Sequence, residues 1–309
     1  MAGPTEVFDR RTVRRRRNRG ARSGEPATFL HDEIAERLAD RLDDIQRAFR
    51  RVLVLGALGD RLCALLAGRA GVERVVVCDT AEALVRRRAG VAVVAEEEAI
   101  PFAPASFDLV LGALTLHAVN DLPGALAQIR RVLVEDGLFL AACFGGETLH
   151  ELRRVMLEAE SETVGGASPR VAPFADIRDG GALLQRAGFA LPVADSDTLS
   201  VTWPDAFALM RDLRAMGEAN ALAARRRTPT PRAVFAAAAA RYESLFGDAE
   251  GRIPATFQVL YLTGWAPAAG QQRPLRPGSA AARLAEALGI EERSAGERAG
   301  PGGRGAKQS

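Results

Sequence analysis

The chain has 309 residues, 48% hydrophobic and 26% charged, with a formal net charge of +2. That composition is ordinary for a soluble globular protein and suits one large α/β domain with an added subdomain. It excludes a spanning helix, since no apolar run approaches the roughly 20 residues needed, and overall charge argues against a nucleic-acid binder.

Residues 1–25 are basic and weakly patterned: eight arginines stand against Glu6, Asp9 and Glu25. FLHDEIAERLADRLDDI (29–45) then carries apolar residues at helical spacing. From 51 to 145 short apolar runs alternate with helical segments. The runs are RVLVLGA, VERVVVCD (72–79), VAVVAEE (91–97), FDLVLGA (107–113) and GLFLAACFG (137–145). The segments between them include DRLCALLAG, TAEALVRRR and LPGALAQIRRVL. Near-continuous apolar strands separated by helices predict a mostly parallel sheet covered on both faces.

A helix is predicted over 148–160, a second in ALLQRAGF, and two more strands at about 193–203 and 255–265. Between those strands, DAFALMRDLRAMGEANALAA and PRAVFAAAAARYESLF both read as helical. They predict an insertion at about 205–246, placed to act as a lid or side subdomain. The expected organisation is a basic arm (1–28), a main domain (29–266) and a largely disordered tail (267–309), with a short helix near 280–289. Cys63, Cys78 and Cys143 lie in apolar segments without a CxxC pair, which reads as reduced, buried thiols in a cytoplasm.

In an open parallel sheet, ligands bind beyond the C-terminal strand ends. The first strand ends at Gly56-Ala57-Leu58-Gly59 and the second at Asp79. The third is followed by Glu96–Glu98 and Pro101-Phe102, and the fourth by His117, Asn120 and Asp121. Each has a plain alternative: a glycine turn, an N-cap, a solvated acidic loop, a structural histidine. Their order is more specific than any one of them. Three histidines, His31, His117 and His150, offer no evident paired metal motif.

That order resembles the class I S-adenosylmethionine-dependent methyltransferases, whose seven-stranded Rossmann-like sheet has a reversed last strand. FDRRTVRRRRNRGA, EEEAIPFAPASFDLVLGALTLHAVNDLPGALAQIRRVL, FGGETLHELR and PATFQVLYLTGW sharpen the match. These blocks resemble the methyltransferase-like family containing a mitochondrial complex I assembly factor and its proteobacterial relatives. The resemblance implies S-adenosylmethionine as cofactor. It would place Gly56 and Gly59 at the methionine part, Asp79 on the ribose, Glu96 near the adenine amino group and Ile100, Pro101 and Phe102 around the adenine. His117 and Asn120 are the candidate catalytic residues.

The family's first strand reads like LDLGCGRG, whereas this one reads LVLGALGD. Leu58 is therefore expected to add bulk beside the ligand and Asp60 to add negative charge, with Arg61 as a compensating contact. Ala118 stands where the family often has Trp. The resemblance implies modification of a protein partner, such as a complex I subunit, by methylation or arginine hydroxylation. A non-catalytic assembly chaperone and a small-molecule methyltransferase are the alternatives.

Overall fold

The structure, a computed structural model, describes residues 6–22, 27–174 and 177–271. Met1–Ala269 form one compact unit. Its seven strands are β1 (Arg51–Leu55), β2 (Arg74–Asp79), β3 (Val91–Val94), β4 (Phe107–Ala113), β5 (Leu133–Phe144), β6 (Ala190–Trp203) and β7 (Ile253–Trp265). Their order across the sheet is β3-β2-β1-β4-β5-β7-β6. β1 to β5 pair in parallel, and β7 runs antiparallel to both β5 and β6. The seven strands and the reversed last strand agree with the sequence expectation.

Strand β1 shows why its run is apolar throughout. Val52 and Val54 join one core layer with Leu38 and Leu42, while Leu53 and Leu55 join the other with Leu126 and Ile129. Alternate residues point to opposite faces, and both faces are covered. The first layer receives helices α1 (Arg10–Arg22), α2 (Phe29–Asp43) and α3 (Arg61–Ala67), together with α6 (His150–Val164), α8 (Ala206–Ala215) and α9 (Arg232–Phe246). The second is closed by α5 (Leu122–Val132) and α7 (Ile177–Arg186). The short α4 (Glu82–Val85) follows β2.

Two elements differ from expectation. The basic N-terminal segment is a helix, α1. The predicted helix over 205–224 stops at Ala215, because Gly217 turns the chain at φ +85° and lies against α1: a Cβ there would meet the Arg17 Cα at 2.8 Å. The helix expected near 280–289 and the expected tail disorder lie outside the described residues.

Candidate functional site

The glycine turn after β1 is tight for a steric reason. Gly56 sits at φ +102°, and a Cβ there would lie 2.6 Å from the Ala113 carbonyl oxygen on β4. Gly59 also has positive φ, +75°. Both conformations favour glycine. Leu58 is buried in the first core layer and also lines the open hollow beside Gly59 and Asp60. Arg88 donates to the carbonyls of Ala57 and Gly59 and pairs with Asp60, so the added negative charge has a counter-ion. Arg61 pairs with Glu36, away from the compensating role expected of it.

Asp79, at the end of β2, has a side chain that is 0% exposed. Its Oδ2 accepts from the Ala57 amide at 2.8 Å and its Oδ1 from the Ala81 amide at 2.7 Å. The two remaining bonds come from Arg17 of α1, Nη2 to Oδ2 at 2.7 Å and Nε to Oδ1 at 3.4 Å. A guanidinium thus lies where the family resemblance places ribose hydroxyls. Burial opposes charge on Arg17, but Asp79 and then Glu218 outweigh it and raise its pKa.

The acidic run after β3 is also engaged by α1. Arg10 donates to Glu96 Oε2 from Nε at 3.0 Å, to Glu97, and to the Ala118 carbonyl at 2.8 Å. Glu96 accepts from Thr80 at 2.7 Å, and Glu97 accepts from Thr115. Ile100 and Phe102 turn into the second core layer, where Phe102 meets Phe107 edge-on at 5.1 Å, while Pro101 is exposed. Asn120 acts as a clamp: its Oδ1 accepts from the amides of Val7 and Phe8 at 3.0 and 2.8 Å, and its Nδ2 donates to the Phe8 carbonyl at 3.0 Å. It fastens the segment leading into α1 and does not line the cavity.

Beside these groups lies a cavity of about 290 Å³ between α1, α6, α8 and the strand ends. Its wall is apolar at Val13, Phe144, Leu152, Met156 and Phe257, and polar where Arg10, Arg17, Glu97, Thr115, His117 and Glu218 meet. His117 packs against Phe144 and Phe174, with centroids at 4.6 and 5.5 Å, and its Nε2 lies 3.2 Å from Glu218 Oε2. Its Nδ1 is buried without a partner among the described residues. Burial works against the Glu218 carboxylate, yet His117 and Arg17 hold its pKa below the usual value. Nearby His31 is buried with both ring nitrogens unpartnered among the described residues. Burial, then Arg17, lowers its pKa to about 3, so it is neutral.

Of the residues singled out from sequence, Gly56, Gly59, Asp79 and Glu96 fall around the ends of β1 to β3 under α1, and His117 falls on the cavity wall. Ile100, Phe102 and Asn120 serve packing and clamping. Arg10, Arg17, Thr115, Glu97 and Glu218 were not singled out. Their one trace in sequence is the seven-residue spacing of Arg10 and Arg17, two helical turns that share a face. His150 lies apart and exposed beside Glu151. Among the described residues no group of three or more His, Cys, Asp or Glu is placed to hold a metal. Cys78 and Cys143 are buried, and burial pushes both thiols up to about 12.

The sheet order, the glycine turn and the acid ending β2 define a class I methyltransferase fold. A family model described as Methyltransferase domain matches residues 53–141. The mitochondrial arginine-hydroxylase NDUFAF5 of Homo sapiens is 41% identical over 287 residues, 91% of this chain and 83% of that protein. The malonyl-[acyl-carrier protein] O-methyltransferase of Laribacter hongkongensis is 36% identical over 292 residues, 89% of this chain and 96% of that protein. A methyltransferase structure from Bacillus halodurans has a TM-score of 0.51 at 15% identity, covering 76% of this chain and 100% of its own; that likeness supports the fold alone. The chain belongs to the methyltransferase-like family that includes the mitochondrial arginine-hydroxylase NDUFAF5.

S-adenosylmethionine is the cofactor implied by this fold. The residues fit it in kind: a glycine turn with no room for a Cβ, beside a buried carboxylate that two amides already orient. In the conformation described, that carboxylate is also committed to Arg17. A ribose diol and the Arg17 guanidinium seek the same two oxygens.

Proposed function

We propose that this chain is an S-adenosylmethionine-dependent methyltransferase-fold enzyme that modifies an arginine of a protein partner during respiratory complex I assembly. The observation that carries the reading is the cavity's charge. The cavity sets two carboxylates, Glu97 and Glu218, in a wall that also carries seven arginines, and Arg10 meets Glu97 while Arg17 meets Glu218 (3.6 Å). Buried carboxylates are costly unless a cation answers them. Glu97 and Glu218 are the two carboxylates this wall offers a partner's arginine side chain, which would take the places of Arg10 and Arg17 with Phe144 and Met156 beside its methylenes.

When bound, S-adenosylmethionine supplies an electrophilic methyl group, and Gly56, Gly59 and Asp79 would hold it. Glu97 and Glu218 would orient the incoming guanidinium through charge-assisted hydrogen bonds. His117 would take a proton at Nδ1, since Nε2 faces Glu218. The mitochondrial relatives are arginine-hydroxylases, which favours arginine as the modified group. Methyl transfer moves the sulfonium methyl to a guanidinium nitrogen, leaving S-adenosylhomocysteine and releasing one proton, and needs nothing beyond the cofactor. Hydroxylation would need dioxygen and a two-electron reductant as well.

The apolar wall and the acyl-carrier methyltransferase relatives favour a second reading, methylation of a small apolar acid or its carrier ester. The arginines of the wall would also suit an acid, and what favours the first reading over it is the higher identity to the arginine-hydroxylases. The test is to incubate the protein and S-adenosylmethionine with isolated complex I subunits, then map modified arginines by mass spectrometry. A methyl or an oxygen on one arginine, lost with Asp79→Ala, supports the proposal. An unmodified subunit set, with assembly unimpaired in cells carrying Asp79→Ala, would point to a non-catalytic chaperone.

A further inference from the structure

Helix α1 carries two sets of arginines. Arg10 and Arg17 turn inward to Glu96, Glu97 and Asp79. The outward set meets a second group of arginines from beyond α8. Arg11, Arg15 and Arg16 line an open concavity of about 560 Å³ with Arg225, Arg226 and Arg227. Arg16 is shared with an adjoining hollow of about 240 Å³ that adds Arg19 and Arg214.

Several arginines elsewhere have acids beside them: Arg37 has Glu33 and Asp197, Arg41 has Asp195, Arg69 has Asp43 and Arg154 has Glu158. Here the one lining carboxylate, Asp9, is committed to Arg225 at 2.8 Å, and Arg226 reaches Glu160 at 3.6 Å. Arg16 is half-buried and makes no ion pair or hydrogen bond with another described residue. Burial, then the crowding of Arg225, Arg15, Arg19 and Arg214, pulls its pKa down to about 10. Like charges held in a concave surface focus potential outward and call for an anionic counterpart.

We propose that this surface, formed by the outer face of α1 and the 214–227 loop, docks an acidic segment of a partner protein. Arg11 to Arg19 spans eight helical steps, about 12 Å at 1.5 Å per residue. That is wider than one phosphate and matches three or four residues of extended chain at about 3.3 Å each. No aromatic side chain lines either hollow to stack a base, which favours a polypeptide over a single-stranded nucleic acid. Arg16, Arg225 and Arg226 line both the concavity and the inner cavity, so a segment held outside leads directly to the pocket mouth. The complementary sequence is an arginine flanked by acidic residues: the inner carboxylates take the arginine and the outer arginines take its flanks.

The inference rests on the proposal of a protein partner, and the two fail separately. Full-length protein is titrated against a fluorescein-labelled oligo-glutamate peptide, followed by anisotropy at low and physiological salt. A labelled oligo-thymidine strand and phosphatidylserine vesicles are run in parallel. Arg15→Glu/Arg227→Glu removes two exposed cations outside the cavity. The expected result is peptide binding that weakens with salt and falls at least about tenfold in the double variant, while S-adenosylmethionine titration is unchanged and shows the variant folded. Absent peptide binding, binding indifferent to the charge reversal, or tighter binding to the oligonucleotide or vesicles overturns the proposal. Loss of cofactor binding by the unmodified protein would count against the enzymatic reading alone.

Discussion

Replacing Arg17 by Met tests the link between α1 and Asp79, the carboxylate proposed to take the cofactor's ribose. The Arg17 and Asp79 side chains are 4% and 0% exposed, so this pair is unscreened by solvent. Removing one partner of a buried pair costs about 3–5 kcal/mol, because the other charge is stranded. Asp79 keeps its two amide donors, which favours the lower end. For a domain of this size, each kcal/mol moves the melting temperature by about 2–4 °C, so the cofactor-free variant should melt roughly 6–15 °C lower. Cofactor affinity should move oppositely. The unmodified protein must break the pair to release Asp79, whereas Arg17→Met presents it already free. If only a third to a half of the pair's energy is recovered, S-adenosylhomocysteine should bind about five- to tenfold more tightly, each factor of ten being about 1.4 kcal/mol. Calorimetric titration reads the affinity, and thermal unfolding with and without ligand reads the stability. An unchanged melting temperature together with unchanged or weaker binding would falsify the reasoning, since Arg17 would then not hold that carboxylate in solution.

Other consequences are equally direct. Gly56→Ala should destabilise the fold by about 3 kcal/mol, from positive φ and the 2.6 Å approach to the Ala113 carbonyl; denaturant unfolding with a loss under about 1 kcal/mol would contradict the assigned turn. His31 is neutral when folded, with its pKa lowered from 6.5 to about 3. Its contribution is fully present above about pH 6.5 and is lost as pH falls toward 3, a total of about 5 kcal/mol. His31→Leu should flatten the stability profile in that window, and a profile as steep as that of the unmodified protein would refute the assignment. Asn120→Ala removes three hydrogen bonds to Val7 and Phe8, worth about 1 kcal/mol each. Trypsin should then cut within α1 at least about tenfold faster, and an unaltered digestion rate would mean that the clamp carries no load.

How far the fold was legible follows from where each element finds its partners. The strands of the sheet were readable because burial on both faces leaves a local record, a run of apolar residues. Helix α1 left none. Its inward arginines are paired with Asp79 and Glu96, 62 and 86 residues away, so a segment that reads as a solvated arm is fixed by distant acids. Arg61, which pairs with Glu36, was misjudged for a related reason. The direction a side chain takes off a glycine turn depends on the φ of Gly56 and Gly59, and spacing does not record it. Gly56, Gly59 and Asp79 were legible because strand–turn and strand–acid junctions are set locally. Glu218 was hidden because its role depends on where the loop after α8 comes to rest.

The reversed strand β7 bears on how the protein is made. It fills the place between β5 and β6 and pairs with both, although about 50 residues separate it from β6 in the chain. On a ribosome the N-terminal part emerges first, so β6 must wait with no neighbour until residues 253–265 appear. The same strand brings Gln258, whose carbonyl takes the Gly145 amide at 2.8 Å, and Phe257, which lines the cavity. An unfinished chain therefore has no completed pocket, and the reactive centre is withheld until synthesis has passed the last strand.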